Sequence, residues 1–335
     1  MKWWMFFVLC CFLLAGCDVT DVPEDEVFEQ DEVLEEGEET AVSPPTATPI
    51  PEATTLPATA TPTTIPTAVL EPTKPPTTTF YYLLSERTAE IIEVNPNRLR
   101  QMRRFSVPLP NEGNAGPEGL TFVSNEDVAQ FGFFDLDAST NGGYFLVSTQ
   151  AEGQIYVVDV PLEEDGGGTA VILHDFTIDG LDEDASGLTY HDGILWVAMA
   201  KKERLYAVTT DQSIEDDEIE ADARYNLKDL PFDAEDIEGI VFQQESTIFL
   251  ADDKGGMVSL YNDFPTCLEE ETCERQWVAH IAPLEPSGLA WDAEQEQLLL
   301  VSDDGQLVAI DVAANRQRPI GLLSDDLEGM VLVRR

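Results

Sequence analysis

Short apolar runs alternate with tight polar turns from residue 80 onwards. Five of the runs share one pattern, which is a Glu or Ser, then a Gly, then alternating large and small residues; the glycines are Gly119, Gly187, Gly239, Gly288 and Gly329. A period of about 40–50 residues, with several β-branched and aromatic runs in each copy, is typical of a β-propeller built from four-stranded blades. The pattern therefore predicts an all-β fold.

The repeats predict five blades. Residues 80–108 hold three strands without a Glu-Gly start, whereas residues 329–333 supply a first strand with nothing behind it. Joining the two completes one blade, so we expect a C-terminal strand to close the ring against the N-terminal blade. Six blades are the alternative, because 68 residues separate Gly119 from Gly187. That interval holds one set of strands and an insertion at about 124–142.

Each first strand alternates large residues with the glycine and a smaller residue. The large positions are Leu120/Phe122, Leu188/Tyr190, Ile240/Phe242, Leu289/Trp291 and Met330/Leu332. Neighbouring blades crowd together near the axis, and glycine permits close backbone approach. We therefore expect the glycines to be architectural.

The N-terminus has the pattern of an export signal. Residues 1–16 combine Lys2 with an apolar run that is too short to span a bilayer as a helix. The ending Leu14-Ala15-Gly16-Cys17 resembles a bacterial lipobox, which implies lipid attachment to Cys17. We therefore predict a lipoprotein signal peptide and a mature protein on the extracytoplasmic face of the cell membrane; ordinary secretion is the alternative.

Two low-complexity segments follow Cys17. Residues 17–39 include twelve Asp or Glu and no Lys or Arg, and residues 40–79 are rich in Pro and Thr. Highly charged chains of low hydrophobicity do not fold alone, and Pro-rich chains favour extended conformations. We predict a disordered acidic segment, then a linker, and then a propeller domain at 80–335.

Two cysteines remain in the predicted domain, Cys267 and Cys273. An even pair in an extracytoplasmic protein is most simply a disulfide. A metal site would need further Cys or His nearby, and only His280 is close in sequence. We predict a disulfide that closes a short loop.

The charge of the chain excludes one class of partner. The chain has 65 acidic residues against 18 Lys plus Arg, for a formal net charge of −47. Residues 1–79 contribute −12 of this, which leaves −35 on residues 80–335. Such a field repels phosphate backbones and anionic lipid surfaces. We expect no nucleic-acid partner, and contact with the membrane through the lipid anchor only.

Carboxylates recur where the first strands begin and in the hairpins that share that rim. The candidate metal ligands are Glu118, Glu238, Glu328, Asp236, Asp252 and Asp303. Carboxylates held within a few ångströms of one another must raise their pKa values, pair with a cation or bind a hard metal such as Ca²⁺. The alternative is that each Glu accepts hydrogen bonds from backbone groups of the neighbouring blade.

The repeats resemble those of the SdiA-regulated (YjiK-like) β-propeller family. The resemblance rests on Asp236-Ile-Glu-Gly-Ile240, Asp326-Leu-Glu-Gly-Met330, Pro117-Glu-Gly-Leu120 and Leu300-Val-Ser-Asp-Asp304. It implies that Glu118, Glu238 and Glu328 are axial ligands of a metal or substrate. Related propellers, including phytase-like esterases, pair an Asp-x-Glu-Gly element with calcium-assisted phosphoester hydrolysis. Two blades depart from the pattern with Ser186 and Ser287, which argues against a complete ligand ring.

These observations favour a monomeric, membrane-anchored binding or recognition module with Ca²⁺ at its acidic rim. Its ligand would be a small molecule or a protein. The alternative is a Ca²⁺-dependent hydrolase, either phytase-like or gluconolactonase-like, although the Asn residues that complete gluconolactonase-like sites are sparse in the repeats. A third possibility is partner docking through the opposite rim, which holds the 124–142 insertion with Phe131-Gly-Phe-Phe134 and the Cys267 to Cys273 loop.

Overall fold

A computed structural model describes part of the chain. The described residues are 78–98, 100–110, 116–130, 132–133, 136–150, 153–163, 166–181, 185–211, 217–229, 236–281, 284–323 and 326–335. The predicted signal peptide, Cys17, the acidic segment and nearly all of the linker lie outside them, so these assignments stay predictions. Among the described residues, no helix is long and apolar enough to cross a membrane.

The described strands form five sheets, which are the five blades of a β-propeller. Blade 1 contains β1 (Thr79–Ser85), β2 (Glu90–Asn95), β3 (Arg100–Ser106) and, from the far end of the chain, β22 (Leu327–Arg334). Blade 2 contains β4 (Pro117–Ser124), β5 (Gly143–Thr149), β6 (Ile155–Asp159) and β8 (Val171–Ile178). Blade 3 contains β9 (Ala185–His191), β10 (Ile194–Met199), β11 (Arg204–Thr209) and β13 (Ala223–Asn226).

In blades 4 and 5, the four strands of each blade are consecutive strands of the chain. Blade 4 contains β14 (Ile237–Gln244), β15 (Thr247–Asp252), β16 (Met257–Tyr261) and β17 (Arg275–His280). Blade 5 contains β18 (Pro286–Asp292), β19 (Gln297–Ser302), β20 (Gln306–Asp311) and β21 (Arg316–Leu322). The prediction of five blades is confirmed, and the alternative of six is wrong, because the long interval between Gly119 and Gly187 adds no blade of its own.

The ring closes in blade 1, as the sequence predicts. β22 pairs antiparallel with β1, so that Val333 lies opposite Phe80 and Met330 opposite Leu83. β1 begins at Thr79, the last residue of the predicted linker, because Thr79 still pairs with Arg334.

Two further strands of two residues each extend a neighbouring blade. β7 (Gly168–Thr169) leaves the connection between β6 and β8 and pairs parallel with β3 of blade 1. β12 (Glu218–Ile219) leaves the connection between β11 and β13 and pairs parallel with β8 of blade 2. The outer edges of blades 1 and 2 are therefore partly covered by the blade that follows each of them.

The glycines of the first strands allow the blades to approach near the axis. A Cβ atom on Gly119 would lie 2.4 Å from the carbonyl oxygen of Ser186, and one on Gly187 would lie 2.4 Å from that of Glu238. Both are far inside ordinary contact distances, so the predicted architectural role is confirmed at these positions.

A buried ion-pair network stabilises blade 1. Glu93 is 2% exposed, and its carboxylate accepts hydrogen bonds from Tyr82 Oη at 2.7 Å, Arg103 Nε at 3.1 Å and Arg335 at 2.5 Å. Both arginines also donate to the carbonyl oxygen of Leu162 in the connection that follows β6. Two guanidinium groups and a phenol thus compensate the burial of one carboxylate, and they tie β22 to blades 1 and 2.

Two short helices lie in the connections at the end of the ring where the first strands finish. α1 (Asn125–Val128) opens the insertion, and Ser124 Oγ accepts from the backbone N–H of Asp127 at its start. Phe133 of the insertion is buried and packs edge-on against Phe176, with ring centroids 5.3 Å apart. α2 (Thr266–Glu269) begins the Cys267 to Cys273 loop, and the predicted disulfide is confirmed.

Candidate metal centre

Among the described residues, eight carboxylates form close groups at the rim where the first strands begin. They form four overlapping groups of three, and within each group the ligand oxygens lie within 4.8 Å of one another. We call these eight residues the carboxylate rim: Glu86, Asp236, Glu238, Asp253, Glu285, Asp303, Asp326 and Glu328. Because neighbouring groups share members, the rim is continuous across blades 1, 4 and 5.

The central group is Glu238, Asp303 and Glu328. Glu238 and Glu328 occupy equivalent positions near the start of β14 and β22, and Asp303 lies in the hairpin after β19. Alternation along a strand sets this geometry, because the glycine after each Glu faces the next blade and the Glu side chain points the other way. Glu328 is 7% exposed and so lies almost completely below the surface.

Burial raises the pKa of both central glutamates far above the ordinary value. Desolvation, followed by the charges of Asp253 and Asp303, raises the pKa of Glu238 to about 10. Desolvation, followed by the charges of Glu118 and Asp303, raises the pKa of Glu328 to about 11. Without a bound cation, these two groups would therefore hold protons at neutral pH.

Asp253 and Asp303, which lie in hairpins of blades 4 and 5, also have raised pKa values, although the increase is smaller. Desolvation and neighbouring carboxylates raise the pKa of Asp253 to about 6 and that of Asp303 to about 7. One oxygen of each, Oδ1, is buried and accepts no hydrogen bond from a described residue. A buried carboxylate oxygen without a donor costs free energy unless a proton or a cation occupies its lone pairs.

Lys254 places a positive charge beside the rim. Its Nζ is 2.7 Å from Asp236 Oδ2, and it lowers the pKa of Asp253, although burial and the neighbouring carboxylates outweigh it there. The ammonium group of Lys254 cannot by itself compensate the carboxylates of the rim.

Four of the six predicted ligands are brought together, and two are not. Asp236, Glu238, Asp303 and Glu328 belong to the groups of three. Glu118 belongs to none of them, although its charge raises the pKa of both central glutamates. Asp252 is also outside them; it is 2% exposed, and its Oδ1 accepts from the backbone N–H of Gly255 at 3.0 Å, which fixes the β15–β16 turn.

The two serines that replace Glu in the repeat bind the neighbouring blade instead. Ser186 Oγ donates to the carbonyl oxygen of Ile237 at 2.9 Å, and Ser287 Oγ donates to that of Leu327. For the carboxylates of Glu238 and Glu328 we find no hydrogen-bond partner among the described residues. A third serine, Ser148 of β5 in blade 2, also bonds neighbouring blades at this level, because its Oγ donates to the carbonyl oxygen of Ser186 at 3.3 Å.

Four members of the rim were not among the six predicted ligands: Glu86, Asp253, Asp326 and Glu285. Glu285 lies two positions before Ser287, as Asp236 and Asp326 lie two positions before Glu238 and Glu328, so the repeat itself contained the signal for this residue. In blade 2 the equivalent residue is Gly116, and a Cβ atom there would lie 2.1 Å from Glu86 Cγ. The absence of a side chain at Gly116 makes room for Glu86 to extend over the rim.

The arrangement suits a hard cation chemically. All the donors are carboxylate oxygens, which Ca²⁺ and Mg²⁺ prefer, and Ca²⁺ accepts six to eight of them in irregular geometry. Below the rim the axial space shrinks to about 10 Å³, which is enough for about one water molecule. The rim can thus hold an ion at its surface, and it leaves no room for a larger ligand beneath it.

Comparisons with known proteins give structural likenesses at low sequence identity. No protein-family model and no curated protein matches the chain. Among solved structures, the chain is similar to a protein of unknown function from Bacteroides caccae, at 10% identity over 73% of each chain with a TM-score of 0.41.

Two further solved structures show the same kind of likeness. A chain of a nidogen/laminin complex is 11% identical, over 76% of this chain and 98% of that one, with a TM-score of 0.43. Virginiamycin B lyase from Staphylococcus aureus is 13% identical, over 74% and 72%, with a TM-score of 0.39. All three TM-scores are below 0.5, so the assignment of a five-bladed β-propeller rests on the strand pairing of this chain itself.

Proposed function

We propose that this chain is a lipid-anchored, extracytoplasmic β-propeller that acts as a binding module and holds Ca²⁺ at the carboxylate rim. The proposal rests on one observation, the central group of Glu238, Asp303 and Glu328, whose oxygens lie within 4.8 Å of one another in a largely buried setting. Burying three carboxylates this close together is unfavourable unless positive charge joins them.

The donor set favours Ca²⁺ over transition metals. Softer ions prefer imidazole or thiolate ligands, whereas the carboxylate rim consists only of carboxylates. Ca²⁺ also tolerates irregular coordination better than Mg²⁺ does. The charge of −35 on residues 80–335 would concentrate divalent cations around the protein.

A binding module fits these residues better than a Ca²⁺-dependent hydrolase. A phosphoester substrate needs cationic groups beside the metal to stabilise its developing charge. Lys254, which lies beside the rim, is paired with Asp236. The remaining rim residues are acidic and would repel such a substrate.

Thermal unfolding of the full chain tests the cation site. At 100 times its dissociation constant, a ligand stabilises the folded state by about 2.7 kcal/mol. Increasing CaCl₂, compared with EDTA, should therefore raise the unfolding midpoint by several degrees in a saturable way.

A double variant, Glu238→Gln with Glu328→Gln, should abolish this rise. The matched control is Glu270→Gln with Glu271→Gln, which makes the same two exchanges at exposed positions next to α2 and should retain the rise. A wild-type midpoint that does not respond to CaCl₂ would reject the cation site.

Membrane anchoring is tested separately by fractionation of cells. The wild-type chain should sediment with membranes. The Cys17→Ser variant should move to the soluble extracytoplasmic fraction, because it lacks the thiol to which the lipid would be attached. If the variant stayed in the membrane fraction, the anchor would be wrong while the cation site remained intact.

A further inference from the structure

Three blades repeat one backbone arrangement at the carboxylate rim. The residue that follows the second strand donates its N–H to the carbonyl oxygen of the residue two positions before the first-strand Glu or Ser. Each bond holds two acidic residues side by side; the pairs are Glu86 with Asp326 in blade 1, Asp253 with Asp236 in blade 4, and Asp303 with Glu285 in blade 5, with N to O distances of 3.0, 2.9 and 3.3 Å. The backbone therefore keeps these carboxylates together despite their mutual repulsion.

The blade 4 pair has a cationic partner, and the blade 1 pair does not. Lys254 Nζ lies 2.7 Å from Asp236 Oδ2. Among the described residues, no Lys or Arg forms an ion pair with Glu86 or Asp326. In blade 5, Glu285 is exposed, whereas both members of the blade 1 pair are partly buried. The blade 1 pair is therefore the one that most needs a cation from solution.

Glu328 belongs both to the central group and to a group in blade 1. One of its oxygens lies within 4.8 Å of ligand oxygens of Glu86 and Asp326, and the same holds for Glu238 and Asp303. Glu328 is 7% exposed, and its carboxylate makes no hydrogen bond to a described residue. A carboxylate has two oxygens, so it can bind one ion with each of them. Glu328 is therefore placed to connect two ions.

The charge of these two groups exceeds what one ion can compensate. Together they contain five carboxylates, and no Lys or Arg in the described part of the chain forms an ion pair with any of them. When all five are ionised, one divalent cation leaves a formal charge of −3 on the set, and two leave −1. Buried charges without a partner are costly, so two ions fit these donors better than one.

We propose that the carboxylate rim holds a second Ca²⁺ in blade 1, bound by Glu86, Asp326 and Glu328. Glu328 bridges this ion to the Ca²⁺ of the central group. The inference rests on the proposed function, because the ion of the central group is the neighbour that shares Glu328.

Equilibrium dialysis of the full chain against CaCl₂, followed by metal analysis, tests the proposal by stoichiometry. The acidic segment is the same in every variant, so calcium bound there cancels when each variant is compared with the wild type. Glu238→Gln with Glu328→Gln, the central variant, should bind two fewer ions per chain. Glu86→Gln with Asp326→Asn, the blade 1 variant, should bind one fewer, because Glu238, Asp303 and Glu328 remain.

A matched control makes the same two kinds of exchange elsewhere on the rim. Asp253→Asn with Glu285→Gln changes two rim residues that belong to neither of the two groups, and it should retain both ions. If this control loses an ion and the blade 1 variant does not, the second ion lies between blades 4 and 5, and the assignment to blade 1 is overturned.

Gly116→Ala tests the position of Glu86 without removing a carboxylate. The added Cβ would lie 2.1 Å from Glu86 Cγ, so the Glu86 side chain must move. This variant should lose the blade 1 ion and keep the central one, whereas Gly321→Ala, whose Cβ meets no atom closer than 3.8 Å, should keep both. Unchanged binding of both ions to Gly116→Ala would contradict the role of Glu86.

Mn²⁺ gives a readout that requires no variant, because it also prefers carboxylate ligands. Two-metal sites hold their ions about 4 Å apart, a distance at which the electron spins of two Mn²⁺ ions couple. The electron paramagnetic resonance spectrum of the wild-type chain with two bound Mn²⁺ should show this coupling. A spectrum of two isolated bound ions would overturn the bridge through Glu328, even if every variant failed to fold.

The dialysis results separate this inference from the proposed function. If the central variant loses one ion and the blade 1 variant loses none, the central site stands and the second ion is rejected. If neither variant loses calcium, both proposals fail.

Discussion

The stability of the propeller without divalent cations should fall as pH rises from about 6 to 8. In the fold, the pKa of Glu238 is raised to about 10 and that of Glu328 to about 11, from the ordinary glutamate value of 4.5. Over this pH range each residue therefore binds a proton in the folded chain but not in the unfolded chain. A group whose folded pKa is raised stabilises fully below the unfolded pKa, and that stabilisation is lost as pH rises towards the folded pKa.

The size of the effect follows from the number of protons. Each proton bound only in the folded state changes the free energy of unfolding by about 1.4 kcal/mol per pH unit. Two such protons give on the order of 2.7 kcal/mol per pH unit, which for a domain of this size lowers the unfolding midpoint by roughly 5–10 °C. Asp303 adds to the slope below pH 7, because its folded pKa is about 7.

The assay is urea unfolding followed by circular dichroism at about pH 6, 7 and 8, in EDTA and in saturating CaCl₂. The slope should be steep in EDTA and smaller in CaCl₂, because a cation replaces the protons. Glu238→Gln with Glu328→Gln should flatten the slope in EDTA, whereas Glu270→Gln with Glu271→Gln should not.

A wild-type profile in EDTA that matches the double variant across this range would refute the reasoning. It would mean that the central carboxylates ionise in the folded protein with little free-energy cost, and that water reaches them more freely than their burial indicates.

Three substitutions, two of them with a matched control variant, test the packing of the blades, each measured by urea unfolding. Glu93→Gln should lower the free energy of unfolding by about 3–5 kcal/mol, because it leaves two partly buried guanidinium groups without their buried carboxylate. Its control, Glu90→Gln, breaks a more exposed pair with Arg104 and should cost about 1 kcal/mol or less. Gly119→Ala should lower the free energy of unfolding by at least about 1–3 kcal/mol, because the added Cβ overpacks the contact between blades. Its control is Gly321→Ala, whose Cβ would meet no atom closer than 3.8 Å, and this exchange should cost less than about 1 kcal/mol. Ser287→Ala should cost about 1–3 kcal/mol because the hydroxyl bonds buried backbone of the next blade; a loss as small as that of Gly321→Ala would contradict this role.

The blades could be predicted because the strands of each repeat can be recognised from the residues of that repeat alone. The Glu-Gly starts mark the first strands, and the unpaired run at 329–333 reveals the closure. The two-residue strands β7 and β12 leave no such signal, because they pair in parallel with a neighbouring blade and only the folded ring brings their partners near.

The candidate site could be predicted from the sequence to a similar extent. Glu238 and Glu328 follow from the repeat, and Asp303 follows from its hairpin. The turn role of Asp252 could not be separated from that of Asp253, since adjacent acidic residues in one hairpin look alike in sequence but point in different directions.

The pairing of β1 with β22 has a consequence for the chain while it is being synthesised. β1 emerges among the first strands of the propeller, and the strand that covers its inner edge emerges last. Until then, the run Tyr81-Tyr-Leu-Leu84, which is almost completely buried in the finished ring, has an open edge able to pair with other chains. Long-range pairing of this kind is also slow to form. The incomplete propeller is therefore the species that most needs protection from aggregation, and a chaperone that recognises extended apolar strands would act on it at blade 1.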